Sequence, residues 1–161
     1  TKKLHDEGKD YGYVGQIVKI NPTVIEVLEK SGFIPVISPI GINEKGETFN
    51  INADDVAYEI AAEIKASKLI FLTDVGGVLK DPKDKASIIS TLKQADIDKL
   101  VKDGIVSGGM LPKLKKAIST LKRGVEKIHI IDGMVPHSML LEVFTTGGIG
   151  TQIILDEQEL N

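Results

Sequence analysis

The sequence predicts an α/β domain in which helices cover a largely parallel β-sheet. Short apolar segments alternate along the chain with helical segments of about 10–15 residues, which is the pattern of βαβ units. Lys68–Val75 contains the uninterrupted apolar run Leu-Ile-Phe-Leu, typical of a strand buried on both faces of a parallel sheet. Lys127–Ile131, with the sequence KIHII, indicates a second buried strand. Because no internal repeat or linker interrupts this pattern, we expect one layered domain.

The predicted strands are apolar or alternating segments bounded by turn-forming residues. In chain order they are Tyr11–Ile20 (a strand or hairpin arm), Phe33–Ser38, Thr48–Ile51, Lys68–Val75, Lys127–Ile131 and Gly150–Leu155. Pro39 ends the second strand, and turn-forming residues over 41–47 separate it from the third. The polar composition of residues 81–90 predicts a loop after the fourth strand.

The predicted helices follow from start and stop signals along the chain. In chain order they are Thr23–Lys30, a helix capped by Asn52, Gln94–Lys102, a helix beginning near Met110, and Pro136–Phe144. Pro22 and Asn52 are residue types favoured at helix starts. Gly32 and Gly124 are of the type favoured just after helix ends. Apolar residues at helical spacing define the inner face of the fourth helix: Leu114, Ala117, Ile118 and Leu121.

Composition indicates a globular protein and narrows its classes of partner. Of the 161 residues, 42% are hydrophobic and 27% are charged, which excludes a disordered chain. The net charge of −3 gives no general attraction to nucleic acid or to an anionic membrane. No apolar run approaches the ~18 residues of a membrane span, and without cysteine there are no disulfides or Cys-ligated metals. The polar opening residues show no secretory signal, so we expect a cytoplasmic protein.

The glycine-rich segment 104–113 ends with Lys113 in the first turn of a predicted helix. A lysine there faces the positive end of the helix dipole, which costs roughly 0.3–1 kcal/mol at an exposed site unless an anion lies nearby. Glycine-rich turns at helix starts bind phosphate through their backbone N–H groups. The segment therefore predicts a phosphate site. The alternative is a solvated lysine on a polar face shared with Lys115 and Lys116.

Two further polar clusters follow predicted strands, where ligands bind in open α/β sheets. Residues 73–77, Thr-Asp-Val-Gly-Gly, can bring backbone close to a ligand and offer a hydroxyl and a carboxylate to a base or ribose. Their alternative role is a simple strand-to-loop turn. The second cluster is residues 50–55, Asn-Ile-Asn-Ala-Asp-Asp, in which Asn52 and Asp54 can be explained by helix capping and the helix dipole alone. Asn50 has no such role, so we expect it to bond a substrate.

Several established motifs are absent from the sequence. There is no P-loop G-x-x-x-x-G-K-[ST], no protein-kinase H-R-D or D-F-G, and no G-x-G-x-x-G after a predicted strand. His5, His129 and His137 lack metal-ligand spacing. We therefore expect no metal site built from side chains, and we expect core or solvated histidines.

Seven segments, taken together and in order, carry a family resemblance. They are YVGQI, PVISPIG, FNINADDVA, KLIFLTDVGGVL, VSGGMLPK, HIIDG and LLEVFTTGGIGT. From Tyr11 to Thr151 the chain resembles the amino acid kinase family, and within it the acetylglutamate kinases. The resemblance implies a three-layer αβα sandwich with a mainly parallel central sheet, and a homo-oligomer. It also implies phosphorylation of the side-chain carboxylate of N-acetyl-L-glutamate by ATP and Mg²⁺, giving an acyl phosphate in arginine biosynthesis.

The resemblance also implies roles for individual residues. Lys113 would act on the transferring phosphoryl group, Asp54 would orient the catalytic lysines, and Asn50 would bind the substrate. The nucleotide-binding set would be Thr73, Asp74, Val75, Gly76, Gly77, Leu79, Ile105, Val106, Ser107, Gly108, Gly109 and Met110. In arginine-inhibited members, the positions matching His129, Glu142 and Gly148 help to hold the arginine effector.

The resemblance implies that residues 1–161 form a carboxyl-terminal, nucleotide-binding lobe, with 1–21 ending a substrate lobe. An amino-terminal lobe carrying a glycine loop, a second lysine and a substrate-binding arginine would lie outside this sequence. The arginine content agrees, because Arg123 is the one arginine beside 19 lysines. The alternatives are another family member, namely a carbamate, uridylate, aspartate or glutamate 5-kinase, or a non-catalytic ATP-binding regulatory module.

Overall fold

The chain folds into two compact α/β units, Thr1–Ile64 and Lys65–Asn161. The structure, a computed structural model, describes residues 1–6, 9–81, 83–106 and 108–156. The α/β class agrees with the prediction, whereas the division into two units differs from the single layered domain expected. The boundary follows directly on the end of a helix, with no Pro-, Gly- or Ser-rich linker to mark it. The assignment of residues 1–21 to a substrate lobe stays a prediction.

The first unit contains a four-stranded mixed sheet. Its elements are β1 (Lys2–Asp6), β2 (Lys9–Gln16), α1 (Thr23–Lys30), β3 (Ile40–Ile42), β4 (Thr48–Asn50) and α2 (Ala53–Glu63). The strand order is β1-β2-β4-β3. Strand β2 runs antiparallel to β1 and parallel to β4, while β3 and β4 form an antiparallel hairpin.

The second unit contains another four-stranded sheet, in which two of the three strand pairs are parallel. Its elements are β5 (Lys68–Thr73), β6 (Thr91–Lys93), α3 (Gln94–Lys102), α4 (Met110–Leu121), β7 (Lys127–Asp132), α5 (Ser138–Phe144) and β8 (Thr151–Ile154). The strand order is β5-β7-β8-β6. The pairs β5–β7 and β6–β8 are parallel, and β7–β8 is antiparallel.

The core of the second unit lies around β7, as its KIHII sequence predicts. Ile128, Ile130 and Ile131 have no exposed surface, and Ile153 of β8 is buried beside them. Because consecutive residues of β7 are buried, both of its faces are covered. Helix α4 packs on β7 and β8 and buries Leu114. These contacts position the start of α4 near the sheet.

Local sequence signals set several helix bounds. Helices α1 and α3 have the predicted limits, and α4 begins at Met110 as predicted. Asn52 caps α2, since its Oδ1 accepts a hydrogen bond of 3.2 Å from the Asp55 N–H. Helix α5 begins at Ser138, two residues later than predicted, because His137 has a left-handed backbone with φ 59°. None of the helices in the described part of the chain is long and apolar enough to cross a bilayer.

The prediction of a strand over Phe33–Ser38 is wrong. These residues form no strand and have no strand partner among the described residues, and Ile34 and Val36 are 90% and 96% exposed. A strand needs a neighbour to bond its backbone, and Pro35 lacks the N–H that a ladder requires. The apolar side chains of this segment therefore lie on the surface of the unit.

Other strand predictions were incomplete. Strand β5 lies at the edge of the described sheet, so Leu72 is 59% exposed and the expected burial of both faces is wrong. Strands β1, β3 and β6 were missed because they have only three to five residues and no sustained apolar alternation. The exposure of Leu72 depends on position along the sheet, which a local pattern does not contain.

Candidate active site

The carboxyl ends of β5 and β7 lie side by side, next to the polar cluster of residues 73–77. Thr73, the last residue of β5, is aligned with Asp132, the last residue of β7. The Gly133 N–H donates a 2.8 Å hydrogen bond to the Thr73 carbonyl, which extends the pairing one residue past the strands. Two polar side chains from parallel strands therefore end at the same edge, where α/β sheets bind ligands.

A tight turn follows Thr73. Its hydroxyl donates to the Val75 carbonyl and lies 3.3 Å from the Val75 N–H. These bonds reverse the chain at Asp74 and leave Asp74 and Val75 exposed at the sheet edge. The Thr73 hydroxyl therefore holds the loop in place. Contacts from this loop to a ligand would come mainly from Asp74 and from backbone groups.

Gly77 fixes this loop against β8. Its φ is +145°, and a Cβ at this position would lie 2.5 Å from the Thr151 hydroxyl oxygen. The same hydroxyl oxygen accepts a 2.8 Å hydrogen bond from the Val78 N–H. Only glycine allows this approach. At Gly76, by contrast, a Cβ would meet its nearest neighbour, Asp132 Cβ, at an ordinary 3.5 Å.

The loop borders a cleft of about 460 Å³, a volume within the range of small-molecule sites. Four of its lining residues belong to the predicted nucleotide-binding set: Asp74, Val75, Gly76 and Leu79. Four others were not predicted: Ile88, Asp132, Val135 and Ile149. The walls are therefore largely apolar, with carboxylates at Asp74 and Asp132. Asp132 was not predicted, although it has the feature by which Asp74 was chosen. It is a carboxylate at the carboxyl end of a buried strand.

The start of α4 brings a lysine to β5. Gly109 at the N-cap has no side chain with which to cap the helix, and Pro112 in the first turn has no N–H. The remaining first-turn N–H groups point out of the helix end, next to the exposed Gly108, whose φ is +57°. Lys113 is half-buried, with its ammonium nitrogen 5.1 Å from the centroid of the Phe71 ring. This contact places Lys113 against the strand that leads to Thr73.

The turn before α4 is anchored to the end of α3. The N–H groups of Ile105 and Val106 both donate to the Leu100 carbonyl, at 3.0 and 3.2 Å, and Val106 is buried. Met110 begins α4 and is half-buried. The predicted nucleotide-binding residue Ser107 lies outside the described residues. The hydrogen bonds of Ile105 and Val106 therefore hold the chain on the amino-terminal side of Gly108 and Gly109.

The predicted substrate residue Asn50 belongs to the first unit. It ends β4, is exposed, and lines an open cleft of about 370 Å³. The other lining residues are Tyr13, Ile40, Thr48 and Phe49. The Tyr13 and Phe49 rings contact at 6.2 Å between centroids. An amide beside two aromatic rings can bond a polar group of a small ligand while its apolar part contacts the rings.

Asp54, also in the first unit, lies half-buried in the first turn of α2. Burial, reinforced by the negative charges of Asp54 and Asp55, raises the pKa of the Tyr58 hydroxyl well above its usual range. Asp54 thus acts electrostatically on a neighbouring buried group. Its orientation of catalytic lysines stays a prediction.

The three predicted effector residues meet within the second unit. Nδ1 of His129 lies 2.7 Å from Oε1 of Glu142, and both side chains are less than 10% exposed. Oε2 of Glu142 accepts hydrogen bonds from the N–H groups of Ile149, at 2.7 Å, and Gly150, at 3.1 Å. A Cβ at Gly148 would lie 2.7 Å from the same oxygen. Glu142 therefore ties α5 to β7 and to the loop before β8.

The charge state of this cluster follows from its hydrogen bonds. Burial alone would raise the pKa of Glu142, but the hydrogen bonds from His129, Ile149 and Gly150 outweigh it and hold that pKa below its ordinary value of 4.5. Because Glu142 is then an acceptor at neutral pH, Nδ1 of His129 carries the proton. Nε2 of His129 is buried without a hydrogen-bond partner among the described residues.

Across the described residues, no group of three or more His, Cys, Asp or Glu side chains could hold a metal ion. Mg²⁺ in phosphoryl-transfer sites is usually held by one or two carboxylates together with substrate phosphates.

Comparison with known proteins relates the chain to one family. The family model described as the amino acid kinase family matches residues 1–132. The acetylglutamate kinase of Desulforamulus reducens is 49% identical over 156 residues, covering 97% of this chain and 54% of that protein. The acetylglutamate kinase of Heliobacterium modesticaldum is 53% identical over 145 residues, covering 90% and 49%. The chain thus spans about half the length of these curated relatives.

Solved structures agree with the sequence comparison. Two structures of the N-acetylglutamate synthase from Neisseria gonorrhoeae superpose with TM-scores of 0.82 and 0.87, at 28% and 27% identity. They cover 93% and 97% of this chain, and 34% and 36% of the other. The first is complexed with coenzyme A and L-arginine, and the second with coenzyme A and N-acetyl-glutamate.

Proposed function

Because the chain belongs to the amino acid kinase family, we propose that it provides the nucleotide-binding part of an ATP-dependent acetylglutamate kinase. The observation that carries the proposal is the cleft at the carboxyl ends of β5 and β7, with Lys113 held against β5 at Phe71. The cleft has the size and apolar walls of a small-molecule site. Lys113 and the N–H groups of the first turn of α4 would add the positive charge and hydrogen-bond donors suited to phosphate.

The proposed reaction needs no covalent enzyme intermediate. The side-chain carboxylate of N-acetyl-L-glutamate is ionised at neutral pH, so no general base is required. One of its oxygens bonds to the γ-phosphorus while the bond from that phosphorus to the β,γ-bridging oxygen breaks, and the electron pair leaves with ADP. Lys113 would stabilise the charge on the transferring group, and Asp54 would orient the catalytic lysines. When bound, Mg²⁺ would supply further charge neutralisation.

The acceptor side of the proposal rests on Asn50. Its exposed amide at the end of β4 lines an open cleft with aromatic walls. The amide would bond the acetylamino or backbone carboxylate group of the substrate. The names of the relatives support this choice of acceptor over the carbamate, uridylate, aspartate and glutamate 5-kinases.

The 161-residue polypeptide is expected to bind MgADP or MgATP weakly through residues 73–79 and 105–113. Isothermal titration calorimetry at millimolar nucleotide measures this, with folding checked by circular dichroism. Val75→Asp should weaken binding, because it adds a negative charge to the cleft wall. Val24→Asp, the same change at an exposed position of α1, should leave binding unchanged. A folded wild-type polypeptide that binds no nucleotide would contradict the proposed function.

A chimera tests the acceptor. In it, the 161 residues replace the segment that they match in the Desulforamulus reducens relative. Hydroxylamine trapping of the acyl phosphate is expected to show turnover with N-acetyl-L-glutamate and much less with carbamate, aspartate or glutamate. Turnover of uridylate is measured by the release of ADP. Preference for another acceptor would indicate another family member. Nucleotide binding without turnover of any acceptor would indicate a regulatory module.

A second candidate function is the binding of arginine as an effector. The observation that favours it is the meeting of His129, Glu142 and Gly148, with a buried Nε2 lacking a partner in the described residues. A related protein is complexed with L-arginine. Because Glu142 is enclosed by its present hydrogen bonds, a guanidinium would have to displace the Ile149 and Gly150 N–H groups to reach it.

For this candidate, L-arginine is expected to bind the polypeptide, and its uncharged analogue L-citrulline is not. His129→Ala should abolish arginine binding and, in the chimera, relieve arginine inhibition with catalysis largely intact. Calorimetry and an arginine titration of activity measure the two effects. If arginine neither binds the wild-type protein nor inhibits the chimera, no effector site exists here.

A further inference from the structure

Asp132 is a cleft residue whose side chain is already oriented by the fold. Its Oδ1 accepts a 2.8 Å hydrogen bond from the Met134 N–H, which fixes the rotation of the carboxylate. Its Oδ2 has no hydrogen bond within the part of the chain that the structure describes. That oxygen lies 4.0 Å from where a Gly76 Cβ would stand. Oδ1 therefore holds the turn, and Oδ2 faces the side of the cleft that Gly76 forms.

The composition of the cleft favours the nucleoside end of a nucleotide. Asp74 and Asp132 are both carboxylates, and together they repel phosphate groups. The remaining side chains are apolar and suited to the faces of a base: Val75, Leu79, Ile88, Val135 and Ile149. A nucleoside offers hydrogen-bond donors to a carboxylate, namely its ribose hydroxyls and, in adenosine, an exocyclic amino group.

We propose that Asp132 anchors the nucleoside, its Oδ2 accepting a hydrogen bond from a nucleoside donor. This inference rests on the proposed function and extends it with a residue that determines nucleotide orientation. The preset geometry makes the bond selective, because a carboxylate held by Met134 does not have to be ordered on binding. Asp132 contacts the nucleoside and no reacting atom.

The test compares Asp132→Asn with the wild-type polypeptide by calorimetry with MgADP. Asparagine keeps the shape and the oxygen that holds Met134 but replaces Oδ2 by an amide donor. We expect ADP to bind about 10- to 100-fold more weakly, as for the loss of a hydrogen bond to a charged group. Asp98→Asn, which removes the same charge from an exposed position of α3, should change binding little. Thermal unfolding confirms that both variants are folded.

Nucleotide analogues identify the donor and separate binding from a structural role. The wild-type protein should lose affinity for one of 2′-deoxy-ADP, 3′-deoxy-ADP or purine riboside diphosphate, which lack the 2′-hydroxyl, the 3′-hydroxyl and the amino group. With that analogue, Asp132→Asn should cause no further loss, because the bond is already absent. A structural defect would instead lower affinity for all of the analogues equally, which would overturn the proposal.

Three other outcomes are decisive. If the Asp132→Asn effect disappears when Mg²⁺ is removed with EDTA, the carboxylate is a metal ligand and the proposal is wrong. If the wild-type protein binds ADP and Asp132→Asn binds it equally well, the nucleoside anchor is overturned while the proposed nucleotide site stands. If the folded wild-type protein binds no ADP, both fall together.

Discussion

Lys113→Met in the chimera is expected to lower kcat by about 10²–10³-fold while changing the KM for ATP little. Methionine keeps an apolar stem against the Phe71 ring and removes only the ammonium charge. The loss is expected in kcat because, in the proposed function, the charge would act where the transferring phosphoryl group passes between oxygens, and ground-state ATP would keep its other contacts. Steady-state kinetics with ATP and N-acetyl-L-glutamate varied separately measures the effect.

Lys115 provides the matched control for this experiment. It lies two residues further along α4, is exposed, and carries the same charge, so Lys115→Met should leave kcat nearly unchanged. Asn50→Ala should show the complementary phenotype, a raised KM for the amino acid substrate. A Lys113 variant that raises only the KM for ATP, with kcat unchanged, would mean that the lysine binds nucleotide without acting in the transition state.

Glu142→Gln is expected to lower the free energy of unfolding at pH 7 by about 1.5–3 kcal/mol, the usual range for hydrogen bonds to a charged group. The carboxylate accepts bonds from His129, Ile149 and Gly150, whereas an amide has a single acceptor oxygen and presents donors to the remaining partners. Urea unfolding followed by circular dichroism measures the change. Glu126→Gln is the control, because it makes the same substitution at an exposed position.

The pH dependence of this difference has a definite sign. The pKa of Glu142 is lower in the folded chain than its ordinary value of 4.5, so the folded state favours the ionised carboxylate. The stabilisation is therefore complete above pH 4.5 and is lost as the pH falls through the folded-state pKa. Wild-type and Glu142→Gln proteins should converge in stability over that acidic window. A difference that stays constant or grows on acidification would contradict the role of the carboxylate.

Elements with strong local signals were predictable from sequence. Helix α3 has polar flanks and a clear periodicity, and Asn52 caps α2 through its own side chain, so the necessary information is local. The structure of residues 33–38 was not predictable in this way, because their apolar pattern does not show whether a neighbouring strand is present. The exposure of Leu72 has the same origin, since position at a sheet edge depends on which strands pair.

For the candidate site, sequence reasoning found the loop but only part of its surroundings. Asp74, Val75, Gly76 and Leu79 follow a recognisable apolar strand and line the cleft together. Ile88, Val135 and Ile149 join them from other segments through tertiary packing, and no local spacing relates them. Asp132 had a usable signal, a carboxylate at the end of β7. The contact between Lys113 and Phe71 required the helix to be docked on the sheet.

The exposed segment Phe33–Ser38 has a consequence for the behaviour of the polypeptide in concentrated solution. An apolar segment with no strand partner in the described part of the chain can pair between molecules, and Ile34 and Val36 would supply the contacting side chains. Pro35 interrupts the row of N–H donors, so the association should be amorphous and not an ordered fibril. We therefore expect self-association at this segment, more than unfolding, to set the concentration at which the 161-residue polypeptide precipitates.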